Sequence, residues 1–176
     1  SVTLQILSPS ENSSSITPNS RAFEYAIPAI TSIAFASSKL STEGGEQVTI
    51  VGSNFGPANY SLPPFPVKYR VAQAGSTTRL ATNCQYLEPH TILQCMTVPG
   101  VGAVLQWVVS LAGKDSSWIS STTGYAPPHL LSLSTSQSAG LLNGGGGDTL
   151  YVSGVNFGNA VVYLLYRNVS GRFRYK

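Results

Sequence analysis

The sequence predicts an all-β protein: two-sheet sandwiches repeated in tandem, one complete and two partial. Three observations carry that prediction. Charged residues make up only 10% of the chain against 42% hydrophobic, and 25 Ser and 14 Thr supply much of the remaining polar surface. Exposed helix faces are normally built from Glu, Lys and Arg, so this composition suits strands better. Apolar residues alternate with polar ones at a period of two. Finally, Gly-x-Asn-Phe-Gly occurs twice, at 52–56 and at 154–158.

The spacing of the two copies shows that more than a motif is repeated. Gly52, Asn54, Phe55 and Gly56 each lie 102 residues before Gly154, Asn156, Phe157 and Gly158. The same offset carries "EGGEQVTIVG" (43–52) onto "GGGDTLYVSG" (145–154), and "YAIPAITSI" (25–33) falls on "YAPPHLLSL" (125–133) at an offset of 100. Upstream, "TLQIL" (3–7) resembles "VLQWVV" (104–109), and each precedes a Tyr-Ala dipeptide by about twenty residues. A unit of about 100 residues follows. Residues 1–26 are then the last strands of a preceding unit, 27–126 a complete unit and 127–176 the first strands of a following one. On this reading the chain is a segment of an array, and both ends need partner strands outside it.

Within the complete unit, strands are expected near 29–36, 66–73, 91–98 and 117–125. In 103–113, Leu105, Trp107, Val109 and Leu111 share one face and Val104, Gln106, Val108 and Ser110 the other; in 46–52, Val48 and Ile50 share a face with Gly52. Turn residues separate the strands in "STEGGE", "GPANYSLPPFP", "QAGST" and "LAGKDS". Seven or so short strands in such a unit predict a sandwich of immunoglobulin type. In it the repeated motif is a structural corner: Gly52 permits a bulge or close packing, Asn54 hydrogen-bonds its own backbone, Phe55 plugs the sandwich end and Gly56 takes a positive φ. Gly154, Asn156, Phe157 and Gly158 repeat it.

The run "PAITSI…EGGEQVTIVGSNFG…NCQYLEPHTILQCMTVP" resembles the IPT/TIG domain, the immunoglobulin-like fold of plexins and certain transcription factors. The resemblance rests on the opening Pro-x-Ile, the Gly-Gly before a strand, the Gly-x-Asn-Phe-Gly corner and the Ile-x-Cys-x-x-x-Pro strand. It covers nearly all of 27–126 and recurs in part at 127–158. It is informative for fold and much less so for function.

Cys84 and Cys95 are the two cysteines. "CQYLEPHTILQC" reads as strand, turn, strand, which allows a disulfide across adjacent strands; the alternative is two buried free thiols. The resemblance implies the disulfide, because extracellular members of the family commonly carry such a pair. Asn12, Asn59 and Asn168 head Asn-x-Ser sequons in loops or turns where an N-linked glycan could project. The Ser/Thr- and Pro-rich segments 8–20 and 57–66 could carry O-linked sugar or serve as ordinary polar loops.

Little in the chain suggests catalysis. His90 and His129 are isolated from each other and from Asp115 and Asp148, and no Gly-x-Ser-x-Gly elbow accompanies the serines. "NGGGGD" (143–148) lacks the Lys-Ser/Thr of a phosphate loop and precedes a strand. "VKYRV" (67–71) and "GRFRYK" (171–176) interleave cations with aromatics, which can serve nucleic acid or sugar acids. Strand alternation gives the same pattern, and a net charge of +3 argues against nucleic acid. No apolar run reaches the roughly 20 residues of a spanning helix.

The expectation is a non-catalytic structural glycoprotein, extracellular or at the cell surface: a rod or fibril stalk of tandem IPT/TIG domains. No metal or cofactor is expected beyond covalent glycans, and the expected partners are neighbouring repeats. The alternative is the ligand-binding ectodomain of a receptor or adhesin.

Overall fold

A computed structural model describes residues 24–136, 142–158, 164–168 and 171–174. Regular structure there is entirely β. Nine strands fall in the first stretch: β1 (Ala29–Phe35), β2 (Gln47–Ser53), β3 (Val67–Val71), β4 (Arg79–Leu80), β5 (Thr82–Glu88), β6 (Ile92–Met96), β7 (Leu105–Leu111), β8 (Lys114–Asp115) and β9 (Ile119–Ser121). Then follow β10 (His129–Thr135), β11 (Leu150–Val155), β12 (Leu165–Asn168) and β13 (Gly171–Arg174).

The first nine strands form two antiparallel sheets. One has the order β1-β2-β6-β5; the other runs β4-β3-β7, with β8 and β9 both pairing with β7. Period-two alternation aims one set of side chains from each sheet into a shared core. Val48, Ile50, Leu93 and Cys95 come from the first sheet, and Val67, Tyr69, Leu105, Trp107, Val109 and Leu111 from the second. Trp107 joins the layers: it stacks on Tyr69 at 4.3 Å between ring centroids and meets Phe35, from β1, at 5.7 Å. The architecture is sandwich-like.

Two details differ from the sequence reading. Val108 lies on the outward side of β7 yet is buried. Its cross-strand partner is Lys68, and a long aliphatic stem laid flat on the sheet can cover a small apolar residue. The segment 117–125 is also not one strand. β9 ends at Ser121, and Tyr125 instead makes a lone parallel bridge to Leu40. The reason is steric. A Cβ on Gly124 would sit 1.4 Å from the Ala103 carbonyl oxygen, so the chain crosses the backbone there more closely than a side chain permits.

β10 and β11 form a separate antiparallel hairpin, and β12 and β13 a second one. The β10–β11 hairpin reproduces β1–β2. Ala29↔Ser53 through Phe35↔Val48 has a register irregularity between Ile30 and Ser32; His129↔Val155 through Thr135↔Leu150 has one between Leu130 and Ser132. Exposure separates the two copies. Val48 and Ile50 are fully buried where Leu150 and Val152 are half-buried, and Ile30 and Ile33 are half-buried where Leu130 and Leu133 are 49% and 52% exposed. Pro28 is buried and its counterpart Pro128 exposed.

Candidate functional site

The corner with the chain's entry beside it, at the end of β2, and the chain's exit, at the opposite end of that strand, are the built features of the molecule. β2 runs to Ser53, and Asn54 then takes a left-handed φ of 62°, with Gly56 at 97°. Asn tolerates that region better than other non-glycine residues. Phe55 folds back into the core and is fully buried. Gly52 has to be glycine, because a Cβ there would lie 2.0 Å from the Ala29 carbonyl oxygen and 2.5 Å from Phe55 Cζ. The ring therefore packs against bare backbone.

The sequence reading gave Asn54 a local role, and the structure corrects it. The Asn54 amide donates to the carbonyl oxygen of Ile27, 3.0 Å away and 27 residues upstream. With its own backbone left-handed, the side chain is carried toward the incoming strand rather than along its own turn. Asn54 thereby holds the point where the chain enters the sandwich. Nothing in the local sequence around Asn54 signals a partner so far upstream.

His90 completes the corner. It sits in the β5–β6 turn at φ 67°; its N–H donates to the Gly56 carbonyl (2.8 Å), and its own carbonyl accepts from the Phe55 N–H (3.1 Å). The Tyr86 hydroxyl donates to the Phe55 carbonyl. His129 lies apart from His90, at the start of β10.

The second corner has the same backbone. Asn156 has φ 60° and Gly158 φ 66°. A Cβ on Gly154 would meet the His129 carbonyl oxygen at 2.3 Å and Phe157 Cζ at 2.5 Å. The correspondence extends into the turn before the strand, at the same offset of 102. Gly44 N–H donates to the Ser41 carbonyl, and Gly146 N–H to that of Asn143. Glu43 N–H donates to Ser41 Oγ, and Gly145 N–H to Asn143 Oδ1. The Glu46 carboxylate accepts from the Ser41 N–H, and the Asp148 carboxylate from that of Asn143. "NGGGGD" is therefore the turn leading into a strand. Phe157 is half-buried, whereas Phe55 is enclosed.

The exit is held as firmly as the entry. Leu40 N–H donates to the Gly124 carbonyl (3.0 Å), Ala126 N–H to the Leu40 carbonyl (2.8 Å) and Tyr125 N–H to the Gly102 carbonyl (2.8 Å). The Tyr125 side chain is buried beside Tyr69, with 2.9 Å between hydroxyl oxygens; Tyr125 donates to the Val98 carbonyl at 2.6 Å, and the Val98 N–H donates to Tyr69 at 2.8 Å. After Ala126 only Pro127 and Pro128 precede β10.

Cys84 and Cys95 are joined by a disulfide between β5 and β6. Register along this pair slips between Thr82 and Gln85, where Asn83 has φ 50°, so Cys95 faces the bulged segment that carries Cys84. Asn59 is exposed in the turn after the first corner. Asn168 ends β12, opposite Gly171, rather than lying in the turn itself. Asn12, and the match between 3–7 and 104–109 on its upstream side, fall outside the described residues. Among those residues no group of three or more His, Cys, Asp or Glu could hold a metal ion, and no helix is long and apolar enough to cross a membrane. No protein-family model and no curated protein matches the chain.

Two predictions arise here. Replacing Asn54 with Ala removes the bond to Ile27 and leaves a non-glycine residue left-handed, for a loss of about 1–3 kcal/mol. Asn54→Gly, which relieves the backbone strain, should lose less. Urea unfolding of the two variants checks the order. The second concerns alkali. Burial, and next its hydrogen bond to Tyr69, push the Tyr125 hydroxyl far above the ordinary phenol range; burial also raises Tyr69, partly offset by its bonds to Tyr125 and Val98. A folded-state pKa above the unfolded value means the native form keeps protons that the unfolded form releases. Their contribution is therefore whole below about pH 10 and lost as pH rises above it. Tyr125→Phe should make the fall in stability above that pH shallower, as read from melting temperature against pH.

Proposed function

We propose that this chain is part of an extracellular, non-catalytic structural glycoprotein, a rod or fibril stalk of tandem IPT/TIG-like domains. Residues 27–126 form one complete domain, 1–26 contribute the last strands of the domain before it, and 127–176 begin the next. The observation that carries this reading is the second corner, which repeats the first in register, dihedral angles, close approaches and turn hydrogen bonds.

Connectivity supports the immunoglobulin-like assignment. An order of β1-β2-β6-β5 against β4-β3-β7-β9 corresponds to the ABED and CFG sheets of that fold, with β4 added at one edge. The disulfide supports an oxidising compartment. Exposed Asn59, on a turn, suits a glycan. The exit strand is hydrogen-bonded as far as Ala126, and two prolines of fixed φ then lead into the next strand. Such a joint turns successive domains through a set angle, which a rod requires and a flexible tether does not.

Two measurements test the proposal on protein from its native source. Peptide mass spectrometry should find glycan on Asn59 and on at least one of Asn12 and Asn168; bare asparagine at all three would remove the glycoprotein reading. Negative-stain images labelled with an antibody to 27–126 should show label recurring along a stiff filament. Label confined to one end of a short membrane-tethered particle would favour the receptor alternative.

A further inference from the structure

Charge is distributed unequally between the outer faces of the two sheets. Strands β1, β2 and β6 contain no charged residue. β3, in the other sheet, carries Lys68 and Arg70 on its outward side. Each of these cations is half-buried, and each is held by neutral groups. Arg70 Nε donates to Gln106 Oε1 at 3.3 Å, and its guanidinium lies 4.3 Å from the ring centroid of Trp118. Lys68 Nζ donates to Ser110 Oγ at 3.2 Å. Ser110 Oγ in turn donates to Asp115, so that carboxylate is one hydroxyl removed from Lys68. Among the described residues the one salt bridge, Lys114–Glu24, involves neither cation.

Trp118 remains 39% exposed with Arg70 over its ring. A large aromatic and two partly desolvated cations without acidic partners thus share one flat strip with the side-chain amide of Gln106. Part of the sequence pattern returns later in the chain. "YR" at 69–70 in β3 recurs as 166–167 in β12, and pairing with β13 sets Arg167 directly opposite Arg172, with Arg174 opposite Leu165.

We propose that this outer strip, Lys68, Arg70, Gln106 and Trp118, binds an acidic polysaccharide. Carboxylate groups of a uronic-acid chain take Arg70 and Lys68, sugar hydroxyls take Gln106, and a pyranose ring lies on Trp118. A chain of sugars fits better than a nucleic acid or an acidic peptide. The strip offers one aromatic and two cations rather than a dense basic face, and its remaining polar groups are an amide and hydroxyls matched to sugar hydroxyls. Recurrence in β12–β13 would let one polysaccharide follow successive units. That extension rests on the tandem reading; binding at a single strip does not, so failure of the test below leaves the array standing.

Affinity electrophoresis of the whole chain through polygalacturonate, dextran or poly-glutamate gels tests this. The expected result is retardation by polygalacturonate that weakens with salt, none by dextran and less by poly-glutamate. Arg70→Gln and Trp118→Ala should each weaken binding about tenfold, with Lys68→Gln as a second charge variant and melting temperature as the control for folding. Absence of retardation by polygalacturonate would overturn the proposal. So would equal retardation by poly-glutamate, or a Trp118→Ala protein that folds and binds as before, because either reduces the strip to simple charge attraction.

Discussion

Phe55→Ala should destabilise the sandwich of residues 24–126 by about 3–5 kcal/mol, while Phe157→Ala should cost less than half of that. Both side chains turn back beneath a glycine at the same corner, and a Cβ on either glycine would come within 2.5 Å of the ring. Only Phe55 is enclosed, in a core shared with Leu93, Trp107 and Ile50. Removing its ring empties a cavity that a backbone pinned by Asn54 and His90 cannot collapse into. Phe157 still faces solvent in part, so its truncation leaves less of a void. A domain with a typical 5–15 kcal/mol of stability would survive the first change only marginally. Chemical denaturation followed by Trp107 fluorescence reads the sandwich, and far-ultraviolet circular dichroism reads the β10–β11 hairpin, which contains no Trp. Equal losses for the two variants would mean that the second corner is packed as well as the first.

Reduction of the Cys84–Cys95 disulfide, or its replacement by a pair of alanines, should cost about 3 kcal/mol in the chain-entropy model for so short a loop. The effect should be local at first. β5 is the edge strand of its sheet, its register is irregular at two places, and the disulfide ties it to β6 beside that irregularity. Hydrogen exchange should therefore quicken in Thr82–Glu88 before it quickens in β2 or β7. Uniform acceleration across all three strands would show the disulfide stabilising the whole sandwich at once.

Much of the sandwich was legible because its signals are local. Leu105, Trp107, Val109 and Leu111 alternate strictly, and all four are buried. Glycines at 52 and 56 marked the corner, and both carry the geometry expected of them. What escaped was long-range or two-dimensional. The Asn54 bond to Ile27 spans 27 residues of sequence and the bridge from Leu40 to Tyr125 spans 85, so neither leaves a mark in any short window. β4 and β8 are two residues each, too short to show a period. Val108 was placed on the face opposite Trp107, as found; its burial there, beside Lys68 on the neighbouring strand, cannot be read from the alternation. The cations were visible in "VKYRV", where contact with sugar acids and simple strand alternation both stayed open; Trp118, which joins them, lies 48 residues beyond Arg70.

The central claim is that the β10–β11 hairpin opens another sandwich, with a core completed by strands beyond those described. A cryo-electron microscopy map of the native assembly is the most direct test. The account predicts that β11 pairs along its free edge with a strand equivalent to β6, and that a second sheet covers Leu130, Leu133 and Val152 as β3 and β7 cover Ile33 and Ile50. A map in which that hairpin lies against the 24–126 sandwich, or ends the molecule with those leucines in solvent, would contradict it.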